Sequence, residues 1–181
     1  MDDVGGTDDA GGADSAGAVD DSGAVDDSGA DAGAVDGGLT VSHVGICVGD
    51  LERSLRFYCE GLGFELVQSH SVGEEFGRLM EIEDVALQSR FIRRDGLSIE
   101  LLHFESPGHL GEPVRRPLNQ LGLTHLSLRV RDLDAVAGVI EALGGDVRRG
   151  TRTTFGSSNA LDFVYCTDPD GVRIELMHIP G

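Results

Sequence analysis

The chain has 181 residues and a formal net charge of −18, with 32 acidic residues against 14 basic ones, every one of them arginine. An excess of negative charge on this scale repels nucleic acid and anionic membrane, so neither is expected as a partner. No apolar run approaches a membrane span, the N-terminus lacks the basic and apolar regions of a secretory signal, and Cys47, Cys59 and Cys166 form no disulfide framework, so a reducing cytoplasm is the expected location.

Residues 1–38 are built almost entirely from Asp, Gly, Ala, Ser and Val, with no aromatic residue and no arginine. Such a segment cannot bury enough apolar surface to offset the entropy of ordering it, and it reads as a disordered acidic tail. Residues 39–181 are the size of one domain. Ser42–Val48 alternates and is rich in β-branched residues, which predicts a strand. Asp50 reads as an N-cap, with Leu51, Leu55, Tyr58 and Leu62 at helical spacing and Gly61 and Gly63 as the stop. Phe64–Ser69 reads as a second strand and Ser71–Asp84 as loop with a short turn. Val85–Arg93 and Leu97–Phe104 make a hairpin across Asp95-Gly96, a strong turn dipeptide.

A linker over 106–121 carries proline and glycine, and after it the order repeats. Thr124–Val130 is a strand, Asp132 a cap, and a helix runs to about Leu143 before Gly144-Gly145. A strand near Val147, a polar loop from Gly150 to Asn159 and a strand at Leu161–Cys166 follow. The turn Asp168-Pro-Asp-Gly171 leads to the last strand, Val172–Ile179. Two modules, 39–105 and 122–181, therefore share a β-α-β-β-β order, and each needs the other to cover a sheet face.

The repeat extends to single residues. His43 near the start of the first module matches His125 in the second, and Glu100 near its end matches Glu175. Alternation puts His43, Gly45 and Cys47 on one strand face, and His125, Ser127 and Arg129 on the equivalent one. Glu100 shares its face with Ser98, Leu102 and Phe104; Glu175 shares its face with Arg173, Met177 and Ile179. Two imidazoles and two carboxylates suit one divalent Zn, Ni, Co, Mn or Fe ion with positions left for water or substrate; a structural zinc site would favour cysteine. The alternative, a hydrogen-bonded core His and a solvated Glu, explains any one of the four but not the matched set. His103 and His178 fall on the opposite faces, where packing roles are expected, and His70 and His109 fall in expected loops. Arg115, Arg116, Arg129 and Arg173 are candidates to hold an anionic substrate, and Cys47 is expected as a small filler lining the cleft.

The opening segment His43-Val-Gly-Ile-Cys-Val-Gly-Asp-Leu-Glu with Phe57-Tyr58, and the closing segment Asp168-Pro-Asp-Gly-Val-Arg-Ile-Glu175-Leu, resemble the vicinal oxygen chelate superfamily. That superfamily includes glyoxalase I, methylmalonyl-CoA epimerase, extradiol dioxygenases and fosfomycin-resistance proteins. The resemblance covers about Leu39 to Pro180. It implies an α+β glyoxalase-like fold, two tandem βαβββ modules forming a curved mixed sheet around a metal cleft. The family's metal positions fall on His43, Glu100, His125 and Glu175. Extradiol dioxygenases have no ligand at the Glu100 position and methylmalonyl-CoA epimerases usually carry Gln there, whereas glyoxalase I carries Glu. Two glutathione-binding positions of glyoxalase I, Arg and Asn, fall on Cys47 and Phe104, which speaks against glutathione. With Arg129 and Arg173, these residues are expected to contact the substrate instead.

The resemblance implies a divalent-metal-dependent isomerase, epimerase or lyase. Glu175 would be the first choice of base and Glu100 the second for proton transfer beside a carbonyl. The expected substrate is a small carbonyl compound or thioester. Two alternatives remain: an Fe(II) or Mn(II) extradiol-type dioxygenase using His43, His125 and Glu175, or a non-catalytic ligand-binding resistance module. A homodimer is also expected to be possible, since in this family the two halves pair either within one chain or between chains.

Overall fold

Among the residues that this computed structural model describes, 38–156 and 161–180, the β-α-β-β-β order appears twice. The first module is β1 (Val44–Cys47), α1 (Leu51–Leu55), β2 (Glu65–Val72), α2 (Gly77–Met80), β3 (Ala86–Arg94) and β4 (Leu97–Ser106). The second is β5 (Leu126–Arg129), α3 (Leu133–Ala142), β6 (Asp146–Phe155), β7 (Leu161–Thr167) and β8 (Arg173–His178). Hydrogen bonding divides the strands into two four-stranded mixed sheets, ordered β1-β4-β3-β2 and β5-β8-β7-β6. In each, the opening strand runs parallel to the closing strand and the other neighbours are antiparallel. Of the acidic tail expected over 1–38, all but Gly38 lies outside the described residues.

Both helix caps form as their sequences require. Asp50 Oδ1 accepts from the Arg53 amide at 3.0 Å and Asp132 Oδ1 from the Ala135 amide at 2.9 Å, each satisfying a donor that the first helical turn leaves free. The first helix departs from the regular one expected to reach Leu62. After Leu55 it widens into a π-helix over Arg56–Gly61. Successive residues are separated by a smaller angle in the wider turn, so the adjacent rings of Phe57 and Tyr58 both enter the core.

Three other boundaries move. β2 continues to Val72 because Ser69, His70 and Ser71 pair with Arg90, Ser89 and Gln88, so His70 lies in a strand and not a loop. The segment beyond it holds a short 3-10 turn, Glu74–Phe76, and α2. β6 runs through the expected polar loop to Phe155. Its register jumps between Arg148 and Thr153, and the strand resumes with Thr153, Thr154 and Phe155 opposite Phe163, Asp162 and Leu161. The bulge breaks the alternation that would have identified the strand, although threonine favours extended backbone.

One apolar cluster serves both modules. Val48, Phe57, Tyr58, Ile92, Ile99 and Leu101 from the first join Leu133, Ala137, Ile140, Val164, Cys166, Ile174 and Leu176 from the second. Each sheet thus packs one face on helices and leaves the other face for His43, Glu100, His125 and Glu175. A buried polar tie crosses the same core. Tyr58 donates to Asp168 Oδ2 at 2.8 Å, while Asp168 Oδ1 accepts the amides of Asp170 at 2.9 Å and Val172 at 2.8 Å. Arg53 Nη2 donates to Asp170 Oδ1 at 2.6 Å. The Phe-Tyr pair and the Asp-Pro-Asp-Gly turn are therefore structural fasteners between the modules. Burial outweighs these bonds and pushes the Asp168 carboxyl up to about 6.

Candidate metal half-sites

Strand register aligns the expected donors. β1 pairs with β4 so that Gly45 lies opposite Glu100, and β5 pairs with β8 so that Ser127 lies opposite Glu175. His43 and His125 are one alternation earlier on the same faces. In the first module His43 Nε2 stands 3.1 Å from Glu100 Oε2; in the second His125 Nε2 stands 3.7 Å from Glu175 Oε2. Each imidazole has its Nδ1 2.9 Å from the preceding hydroxyl, Ser42 Oγ or Thr124 Oγ1, which orients the ring with Nε2 toward the carboxylate.

The carboxylates are held differently. Ser89, buried on β3, donates to Glu100 Oε1 at 2.6 Å. Glu175 Oε2 accepts from Ser127 on the exposed strand β5 at 2.8 Å. An aromatic ring flanks each imidazole edge-on: Phe91 at 5.0 Å from His43 and Tyr165 at 5.8 Å from His125, measured between ring centres. Phe91 pairs with Glu100 and Tyr165 with Glu175, so the two rings are matched positions of the repeat. Burial and the adjacent Glu175 carboxylate push the Tyr165 phenol above its ordinary range.

The structure brings the four donors together in pairs. Among the described residues no three His, Cys, Asp or Glu side chains gather into one group, so within a single chain the quartet is two separate half-sites. Each half-site is an imidazole nitrogen and a carboxylate oxygen with solvent access, a donor set that fits half the coordination sphere of a borderline divalent ion.

The other expected site residues scatter. Cys47 is on the His43 face and lines a cavity of about 310 Å³ with Arg53, His109, Glu112 and Asp170. Burial, with Asp170 nearby, pushes its thiol up, so it is not poised as a nucleophile. Phe104 pairs with Leu87 and is half-buried. Arg129 is exposed beside Met177. Arg173 is buried, donates to the Arg116 carbonyl at 2.7 Å and lies over the Tyr165 ring. His103 and His178 take packing positions, their Nδ1 atoms 3.3 Å and 3.2 Å from the carbonyls of Val48 and Val130.

Sequence reasoning missed Ser89, Phe91, Tyr165 and His70, whose ring lies edge-on to Phe91 at 5.8 Å between centres. The matched pair Phe91 and Tyr165 was findable, since each precedes its glutamate across one antiparallel hairpin. A second cavity of about 300 Å³ opens beside Glu175, lined by Thr151, Thr153, Phe155, Phe163 and Tyr165, an apolar wall with one reactive edge.

The chain is similar to known proteins. A family model described as the Glyoxalase/Bleomycin resistance protein/Dioxygenase superfamily matches residues 40–176. A 2-epi-5-epi-valiolone epimerase of an Actinomyces species is 27% identical over 81% of this chain and 83% of its own. A lactoylglutathione lyase of Haemophilus influenzae is 29% identical over 77% of this chain and 92% of its own. Among solved structures, a glyoxalase family protein from Bacillus cereus superposes with a TM-score of 0.68 at 23% identity, over 79% of this chain and 95% of the other.

Proposed function

Because the chain belongs to the glyoxalase/bleomycin resistance protein/dioxygenase superfamily, we propose that it is a divalent-metal-dependent enzyme that moves a proton next to a carbonyl group. The observation that carries this reading is the pair of matched His–Glu contacts, 3.1 Å and 3.7 Å, on equivalent rows of two sheets. His43, Glu100, His125 and Glu175 would hold the ion. A divalent cation so held supplies Lewis acidity toward a carbonyl oxygen, which makes the neighbouring C–H more acidic.

The chain's own groups divide the remaining work. Glu175 removes the proton from that carbon and returns it to the same or an adjacent one, as an epimerase, isomerase or lyase requires. The Ser127 hydroxyl, donating to Glu175 at 2.8 Å, fixes which carboxylate oxygen is left to work. Phe155, Phe163 and Tyr165 line the wall beside Glu175 and give the apolar part of a substrate a surface to pack on. Glu100, gripped by buried Ser89, serves as a ligand and as the second candidate base.

We further propose that two copies of the chain complete each site, His43 and Glu100 of one facing His125 and Glu175 of the other. Two features support this. The half-sites are separate within one chain, and apolar residues on the linker, Leu110 at 99% and Leu121 at 97% exposure, await cover. A small carbonyl compound or thioester is the substrate class. The test is deuterium incorporation at the α-carbon of 2-oxo-thiohemiacetals and 2-methyl acyl thioesters by protein loaded with Zn, Ni, Co, Mn or Fe. Metal-dependent exchange supports the proposal; bound substrate without exchange across the panel overturns it.

A further inference from the structure

The second module carries a buried positive charge that makes no ion pair among the described residues. Arg173 lies two residues before Glu175 on the same face of β8 and is only 5% exposed. Its Nη2 donates to the Arg116 carbonyl at 2.7 Å, and its guanidinium carbon sits 5.0 Å from the centre of the Tyr165 ring. Among the described residues it has no ion pair. Its Nε and Nη1 have no protein acceptor there either.

A buried guanidinium gives up most of its hydration, and a chain of net charge −18 has carboxylates to spare for it. Two further arginines are placed beside it: Arg115 adjoins Arg116, whose carbonyl Arg173 holds, and Arg148 pairs with Tyr165 across β6 and β7. Arg148 reaches Asp146 at 3.0 Å on the exposed edge, while Arg115 is exposed and makes no ion pair among the described residues. The matched residue of the first module is Ser98, an uncharged acceptor for Arg93 Nε at 3.3 Å. The charge cluster therefore belongs to the second half-site and not to the repeat. A role in strapping the linker to β8 accounts for one donor of Arg173. It does not account for the lack of a counterion or of acceptors for the other donors among the described residues, or for the neighbouring arginines.

We infer that Arg173, Arg115 and Arg148 form a recognition site for an anionic group, a carboxylate or a phosphate. Arg173 is held by the Tyr165 ring and the Arg116 carbonyl, and its other donors have no acceptor among the described residues, an arrangement suited to planar, two-pronged contact with oxyanions. Two residues of extended strand cover roughly 7 Å, so the anion sits a few bonds from the carbon that Glu175 works on. The identification of this anion as part of the substrate rests on the proposed function: the substrate is then an anionic carbonyl compound. Binding of the anion does not depend on the metal and can be tested without it.

The test titrates metal-free full-length protein with inorganic phosphate and, separately, with malonate at low ionic strength, following arginine Nε–H signals by NMR. Saturable binding in the millimolar range is expected, weakened at least five-fold by Arg115→Gln, lost in Arg173→Gln and unchanged in Arg131→Gln. Tighter binding of phosphate assigns a phosphoryl group and tighter binding of malonate a carboxylate. Binding of neither anion, or binding untouched by Arg115→Gln, overturns the inference. Arg115 is exposed, so that variant decides the matter even where Arg173→Gln fails to fold. Anion binding without any metal-dependent proton exchange would leave this site standing while the proposed reaction falls.

Discussion

The two modules place a histidine and a glutamate at matched positions and then treat them unequally. In the first, Glu100 is clamped by buried Ser89 at 2.6 Å and by His43 at 3.1 Å, beside the inert ring of Phe91. In the second, Glu175 is bonded by the exposed Ser127 at 2.8 Å, stands 3.7 Å from His125 and has the hydroxyl-bearing Tyr165 and an arginine cluster next to it. The hairpin turns diverge in the opposite sense: Asp95 of the first is exposed, whereas in the second Asp168 is buried and bonded to Tyr58. Duplication supplies symmetric donors; under the proposed function the surrounding residues would make the first half the holder and the second the reactive half.

The largest effect expected from this asymmetry concerns the glutamates. Glu175→Gln is expected to cut α-carbon deuterium exchange about 10³-fold at saturating metal, the scale of general acid–base catalysis, while Glu100→Gln chiefly weakens metal affinity. Exchange rates and competitive metal titration on the same samples separate the two, and an equal loss of exchange would erase the distinction. Next is the turn. Asp168→Ala removes the acceptor of three bonds in the core and is expected to cost about 1–3 kcal/mol in urea denaturation, against less than about 0.5 kcal/mol for Asp95→Ala. Similar losses would show that the buried turn is not the fastener described above.

A smaller change is expected at the serines. Ser89→Ala should lower metal affinity about 10-fold, as loss of a bond that orients a ligand does, with Ser127→Ala falling below that. Smallest is a pH effect at Asp168, whose folded carboxyl is pushed up to about 6 by burial, above the ordinary value of 3.8. Its favourable contribution is complete below pH ~4, where the carboxyl is protonated in both folded and unfolded chains, and is lost as pH rises toward ~6. Melting temperatures of the wild type should therefore fall relative to Asp168→Asn across that window and run parallel above it. A difference that does not change between pH ~4 and ~6 would contradict the burial of the Asp168 carboxyl.

Much of this was written plainly in the chain. Caps at Asp50 and Asp132, the Asp95-Gly96 hairpin and the repeat itself follow from local chemistry that tertiary packing does not override. The π-helix at Arg56–Gly61 was hidden because two adjacent aromatic rings at Phe57 and Tyr58 fit a helical pattern as readily as a widened one. β6 was hidden by a bulge that shifts Thr153 out of phase with Arg148. Alternation assigned His43, Glu100, His125 and Glu175 to the right faces. It carries no information about which sheet faces which, so the division into two half-sites emerged only from packing. Ser89 reaches Glu100 from the neighbouring strand of the Asp95-Gly96 hairpin, a diagonal contact that depends on the register of that hairpin.

The most direct test mixes two inactive variants, His43→Ala/Glu100→Ala and His125→Ala/Glu175→Ala, under conditions that exchange subunits. If each site takes one half from each copy, the mixed dimer contains one intact quartet, and it should bind one tight metal ion per dimer and regain up to half of the wild-type exchange activity. Mixed dimers that form yet bind no metal and regain no activity would contradict the shared, two-copy site.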